Sequence, residues 1–360
     1  MKESSGLRTQ RPNTSFRLVH WILRGALLLL ILALVAGLGL VIGGNSNDPP
    51  APTFSEAALE SAHQSAVGLS KTAAVLAGDG RGDGYQVAAE ALALQAEALR
   101  PPSSPPPPEP GASASATTSA ATAPTAPASE DEFLAGLTDS YNANLTAAGE
   151  AEAGTARLLA SVGTGQWLQA REIAGLLELD LPAPPRTGTT DGNDDGKPPV
   201  AGPNCDSGQT PLPESGLSDT RAAVFAEHRA AYAYEVEAAR AEDPAPFLTL
   251  SGQHAAAALS GGAVLMAGCI AAPDPAAAFA LHPDFVDDPE GFLRSMEQEL
   301  VATYADLVGL TEGPARRWAV DQLVEAAQRA DDGLRAADPP AGLGPFPGME
   351  ADPQSPANAG

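Results

Sequence analysis

From Gly25 to Asn47 the chain carries no charged residue, and Ala26 to Ile42 is nearly all Leu, Ile, Val, Ala and Gly. Counted back to Leu18, that run reaches the roughly 20 residues a helix needs to cross a hydrocarbon layer. Beyond Pro50 the apolar positions recur three and four apart, the period of amphipathic helices. Thr53-Phe54-Ser55-Glu56 reads as a capping box that opens a helix to about Ala77; Gly78 to Gly84 is a turn, and a second helix follows to about Leu99. Ser129-Glu130-Asp131-Glu132 is another capping box, starting helical sequence that continues, with breaks near Gly149 and Gly163, to about Leu181. Ser218 caps a helix with Val224, Phe225, His228, Tyr232, Val236 and Ala239 along one side. Asp243-Pro244 starts the next, to about Ile270. Asp288-Pro289 starts a third, striped by Leu293, Met296, Leu300, Tyr304 and Leu307, and Pro314 a fourth, with Val320, Leu323, Val324, Ala327 and Leu334 inward. Proline in a first turn removes only an N–H that has no helical partner. No segment alternates apolar and polar positions with β-branched residues, so the expected fold class is all-α.

The gaps between these helices set the expected topology. Short gaps join helices into antiparallel pairs, but Ala271 to Asp288 separates the second and third helices of the last block. A helix of some 24 residues is about 36 Å long, and eighteen extended residues reach about 59 Å. That connection is therefore able to run the length of a bundle and leave the helices it joins parallel. Residues 54–181 repeat the rhythm, with a Pro-rich linker at 101–128 as the long connection. The map is residues 1–20, a transmembrane helix at 21–44, a helical bundle at 54–181, a Pro/Gly/Asp-rich linker at 182–216, a four-helix bundle at 217–337 and a disordered tail at 338–360. Two tandem four-helix units follow the N-terminal transmembrane helix.

Charge gives the oily run an orientation. Lys2, Arg8, Arg11 and Arg17 precede it and Asn45 to Asp48 follow, so the N-terminus is expected in the cytoplasm and the rest outside the cell membrane, on a single-pass anchor. A cleaved signal peptide is the competing reading; the apolar region is long for one and no A-x-A site follows it. Gly39 and Gly43 form a G-x-x-x-G pair through which two such helices can dimerise, although Gly and Ala are common throughout the chain. The net charge of −25 and the lack of a basic patch after residue 45 exclude nucleic acid as a partner. Aromatics make up 5% of the chain, so any core must be built mainly from Ala, Leu and Val.

Three strings carry a resemblance: Ala226-Glu-His-Arg-Ala-Ala-Tyr-Ala-Tyr234, Glu297 to Leu307, and Arg316-Arg-Trp-Ala-Val320 followed by Ala326-Ala327 and Ala330. Across about 217–337 the chain resembles the ferritin-like domain of unknown function of actinobacterial membrane proteins and lipoproteins. The resemblance implies a four-helix ferritin-like fold at the cell envelope, with no activity, cofactor or catalytic residue to carry over. Such folds raise the question of a two-metal site, which takes a Glu from each of two helices and Glu-x-x-His from each of the other two. The last block has no Glu-x-x-His: Phe225, Ser251 and Phe279 stand three before His228, His254 and His282. The chain's one copy is Glu60-Ser-Ala-His63, a weak metal candidate without a partner motif.

Glu227 and His228 are the candidate buried polar pair, with Glu235 and Glu299 able to face the same interior: a ligand pocket or proton-sensitive switch, or a histidine satisfied by a carboxylate or a backbone carbonyl. Asp191 to Gly196 matches the first half of an EF-hand loop, but Gly202 stands where the closing Glu belongs, leaving weak calcium binding or an acidic turn. The two cysteines, Cys205 and Cys269, are a disulfide candidate in an exported chain, with free thiols as the alternative. No phosphate loop, G-x-S-x-G or Cys-x-x-Cys occurs, so no enzyme and no cofactor are expected. The functional expectation is a tethered, metal-free binding or assembly module of the envelope, with an unidentified envelope protein or small ligand as partner. The alternative is a degenerate iron-handling ferritin relative.

Overall fold

The computed structural model describes residues 51–101, 129–187, 214–338 and 341–349. The expected transmembrane helix at 21–44, Gly39 and Gly43, the EF-hand-like residues 191–196 and Cys205 lie outside the described residues. Among the described residues there is no strand, and no helix is long and apolar enough to cross a membrane.

Nine helices occur among the described residues: α1 (Phe54–Gly78), α2 (Asp83–Ala98), α3 (Glu130–Ala148), α4 (Ala153–Leu176), α5 (Glu214–Ala238), α6 (Ala245–Ala267), the short α7 (Asp284–Asp287), α8 (Pro289–Leu310) and α9 (Gly313–Ala337). Three of the expected caps act as their chemistry dictates, whereas Ser218 lies within α5, which starts four residues earlier. Thr53 and Glu56 close a reciprocal capping box on α1, Ser129 Oγ accepts from Glu132 N, and Asp288 accepts from Gly291 N at the start of α8. Gly163 does not break a helix. It sits buried within α4, where an added Cβ would come 2.9 Å from Leu145, so its lack of a side chain lets α3 approach.

Four antiparallel pairs, α1/α2, α3/α4, α5/α6 and α8/α9, form two sets of four. In the first set α1 runs against α3: Ser65 Oγ donates to Ser140 Oγ at 3.0 Å, and Glu152 N, just past α3, donates to Ser55 Oγ at 2.9 Å. Gly84 faces Leu176 and Gln95 faces Gly165, so α2 runs against α4. The second set repeats this: Tyr234 meets Glu297 and Glu227 meets Tyr304 across α5 and α8, while Trp318 early in α9 meets Ser260 late in α6. In each set the second and third helices are therefore parallel, and in the second set the described connection over 271–288 runs between them. Phe279, within the long connection of the second set, packs its ring on Phe225 (5.3 Å) and Tyr232 (5.8 Å) of α5.

That contact rotates α5 away from its predicted stripe. Phe225 is half exposed and His228 and Tyr232 are only partly buried, while Val224, Glu227, Ala231, Tyr234 and Ala238 point inward. The aromatic residues serve the crossover rather than the core. The stripes of α8 and α9 are buried as expected, apart from a half-buried Leu334. Fully buried Trp167, Tyr85, Phe133 and Tyr304 supply bulk to cores otherwise dominated by Ala and Leu.

The two sets share a seam formed by α4 with α8 and α9. Arg171 pairs with Asp332 at 3.1 Å, Arg335 with Glu172 at 3.2 Å, and the buried Arg316 donates to the carbonyls of Thr311 and Ala151. The tail expected to lack order from residue 338 is in part a strap in this seam. Leu343 N donates to Asp331 of α9, and the carbonyls of Pro345 and Pro347 accept from Gln95 of α2 and Ser161 of α4. At Gly348 (φ +77°) a Cβ would meet Ala305 and the Val301 carbonyl of α8, so only glycine fits. Prolines leave the strap few conformations to lose on docking.

Candidate functional site

The interior of the second set holds a cluster of charged side chains supplied by all four long helices. Glu227 and Tyr234 come from α5, His254 from α6, Glu297 and Tyr304 from α8, and Arg329 from α9; Glu227 and His254 have no exposure at all. On both α5 and α8 the Glu lies seven residues before the Tyr, two turns along one face. Because the helices are antiparallel, each tyrosine reaches the other helix's carboxyl group. Tyr234 OH donates to Glu297 Oε1 at 2.8 Å and Tyr304 OH to Glu227 Oε1 at 2.5 Å.

His254 bridges the two acids. Its Nδ1 lies 2.6 Å from Glu227 Oε2 and its Nε2 2.8 Å from Glu297 Oε1, and the Tyr234 ring stacks on it with centroids 5.2 Å apart. Arg329 completes the set, Nε donating to Glu297 Oε2 at 3.0 Å and Nη2 standing 3.9 Å from Glu227 Oε1. Two carboxyl groups thus face two basic groups, all buried, where an unpaired charge would be very unfavourable.

The electrostatics follow from this pairing. Burial alone would lower the His254 pKa, but hydrogen bonds to Glu227 and Glu297 outweigh it and raise it, favouring the imidazolium. Burial would raise Glu297; the His254 hydrogen bond and the Arg329 charge instead hold it at about 2. Burial, reinforced by the neighbouring carboxylates, drives Tyr234 and Tyr304 upward and keeps both as neutral donors. An imidazolium whose two N–H groups face carboxylates has no lone pair to offer a metal. Among the described residues no group of three or more His, Cys, Asp or Glu is arranged to hold a metal ion.

The cluster is not sealed. A cleft of about 1060 Å³ between α6 and α9 has Tyr234, Glu297 and Arg329 among its lining residues. Arg186, on the segment after α4, reaches its mouth and pairs with Glu325 at 2.9 Å.

Of the residues singled out from sequence, Glu227 belongs to the cluster and His228 does not; Glu235 and Glu299 are exposed. Glu60 accepts from Gln64 on the surface of α1, whereas His63 bonds the Ala96 carbonyl of α2 at 2.7 Å, so the two do not converge. Cys269 is disulfide-bonded and has a positive φ of 62°. Sequence pattern does not single out His254, Glu297, Arg329 or the two tyrosines as polar partners, Tyr304 being expected only as core. The repeated Glu-x6-Tyr at 227/234 and 297/304 was the signal that would have found four of the participants.

No curated protein and no solved structure matches the chain. Residues 220–351, which run from early α5 past the seam strap, match the model of a family described as a domain of unknown function, DUF4439.

Proposed function

We propose that the chain is a membrane-tethered, extracytoplasmic binding or assembly module of the cell envelope, built on ferritin-like four-helix bundles and without catalytic activity. The oily run at 21–44 and its flanking charges support the tether and its orientation. Two helical pairs joined by a bundle-length crossover support the ferritin-like reading, since that single crossover marks such folds.

The observation that carries the metal-free reading is the donor set of the second bundle. A two-metal centre takes a Glu from each of two helices and Glu-x-x-His from each of the other two. Here α5 and α8 supply the single acids, Glu227 and Glu297. On α6 the corresponding pair is Ser251 and His254; on α9 it is Ala326 and Arg329, all four buried. Two carboxylates and one imidazole are missing, and a guanidinium stands among the remainder. Arg329 supplies permanently the positive charge that would otherwise come from a metal, and His254 engages both acids. The residues present do not fit a metal pair.

The test is metal analysis of the full chain after anaerobic incubation with excess Fe(II) or Mn(II), beside a Ser251→Glu/Ala326→Glu/Arg329→His variant. The wild-type chain should retain no stoichiometric metal, and the variant should gain it. Iron or manganese held stoichiometrically by the wild-type chain would overturn the reading in favour of an iron-handling protein.

A further inference from the structure

Of the described helices, α6 alone contains no Asp, Glu, Lys or Arg. The uncharged stretch runs from Pro244 to Pro273, although 18% of the chain is charged. The one ionisable side chain of α6, His254, points inward and is fully buried. Yet the outer face of the helix lies in solvent. Leu248 is 53% exposed, Leu259 63% and Met266 50%, with Gly252, Ala255 and Ala256 also exposed among them. Leu248, Gly252, Ala255 and Leu259 follow at intervals of four, three and four residues, which lines them along one side. The second helix of the first bundle shows the ordinary alternative. There α2 exposes Val87 and Leu94, but Gln86, Glu90 and Glu97 stand exposed beside them. Single apolar residues among charges are normal surface, whereas a helix apolar on every side is normally covered.

Charge and shape select the occupant. A helix that lies on lipid draws on Lys and Arg beside its apolar face; α6 has neither, and the chain's net charge is −25. Two copies of so acidic a chain repel wherever acids face acids, so a face free of acids is where they can meet. The exposed side chains of α6 also complement themselves. Consider two α6 helices antiparallel, with the two-fold axis between Ala255 and Ala256. Leu259 of each copy then falls opposite Gly252 of the other, where the place of a Cβ is open space. Glu242 and Asp243, the acids that precede α6, lie at opposite ends of such a pair.

We infer that the outer face of α6 is a dimerisation surface, pairing the chain with a second copy of itself through Leu248, Gly252, Ala255, Leu259 and Met266. A helix of this size is about 35 Å long, which makes a modest contact beside a standard interface. The proposed tether offsets that by raising the concentration at which copies meet. The inference rests on the chain being an assembly module and not on its being metal-free.

The experiment reads assembly and contact separately on the full chain. Light scattering of the detergent-solubilised chain over graded concentrations should show a dimer. Leu259→Glu should weaken its association about tenfold or more. The helical circular dichroism of that variant should be unchanged, because Leu259 is mostly in solvent within one chain. In membranes, oxidation of Ala255→Cys should trap a disulfide-linked dimer, whereas Glu90→Cys, outward on α2, should not. A monomeric wild-type chain would overturn the assembly reading and the inference together. A dimer indifferent to Leu259→Glu, lost only in Gly39→Leu/Gly43→Leu, or trapped as readily through Glu90→Cys would overturn the inference alone.

Discussion

The two bundles share one topology but fill their middles with opposite chemistry. In the first set the buried polar groups are neutral: Asn144 donates to Gln166 at 3.0 Å, Gln95 donates to the Pro345 carbonyl, and Ser161 donates to that of Pro347. In the second, Glu227, Glu297, His254 and Arg329 occupy the interior. Since the first set builds the same arrangement without them, the fold does not need the charges. Ion pairs in a core contribute little net stability relative to apolar packing, yet losing one partner is severe. The difference therefore points to a role for the second bundle's interior beyond holding its helices together.

The largest expected effect comes from breaking the charged cluster on one side. Glu297→Leu removes the acceptor for Tyr234 and Arg329 and one of the two carboxyl groups facing His254. It should destabilise the full chain by about 3–5 kcal/mol in urea unfolding. Gln166→Leu in the first bundle, which unpairs only the Asn144 amide, should lose about 1–2 kcal/mol. Equal losses in the two bundles would mean that the charges are no more demanding than the amides, and the contrast would fail.

Acid should find the same difference without mutation. Glu297 is held at about 2 in the folded chain against an ordinary 4.5, so its contribution is fully present above pH 4.5 and is lost as pH falls through that window. The loss is on the order of 3 kcal/mol. His254, whose pKa is raised, acts in the opposite sense: its stabilisation persists in acid and fades as pH rises through its folded value. Unfolding free energy measured from pH 6 down to pH 2 should therefore fall, and Glu297→Gln should flatten that slope. An unchanged slope in the variant would place the acid sensitivity elsewhere, the first bundle's uncharged interior being a poor source for it.

Much of this fold could be read from period and punctuation alone. The capping residues Thr53, Ser129 and Asp288 and the prolines near helix starts located the helices, and the length of the 271–288 connection was enough to permit parallel α6 and α8. The sequence reading failed where two structures compete for one residue. Phe225 and Tyr232 look like core on α5, but they pack on the crossover at Phe279, and the helix turns to bury Glu227 instead. His254 and Arg329 each stand alone on their helices and meet the acids only across the bundle, so no spacing in the sequence points to them. The strap over 341–349 was hidden for a related reason. Its Pro and Gly content reads as a tail, while its order comes from backbone carbonyls meeting Gln95 and Ser161.

The smallest effect expected sharpens the comparison most. If the amide pair of the first bundle is only a satisfied polar contact, removing both partners together should matter little, because no donor or acceptor of the pair is left unmatched. Asn144→Leu/Gln166→Leu should then lie within about 1 kcal/mol of the wild-type chain, less than Gln166→Leu alone. Gln166 Nε2 already lacks a partner, which removes part of the reason to keep the side chain polar. Gly163 packs against Asn144 and Leu145, where an added Cβ would come within 3.2 Å of each, so α3 and α4 lie close at this point. A double variant as unstable as the sum of its singles would show that the amides do more than satisfy each other. The first bundle's centre would then rank with the second's as a candidate site.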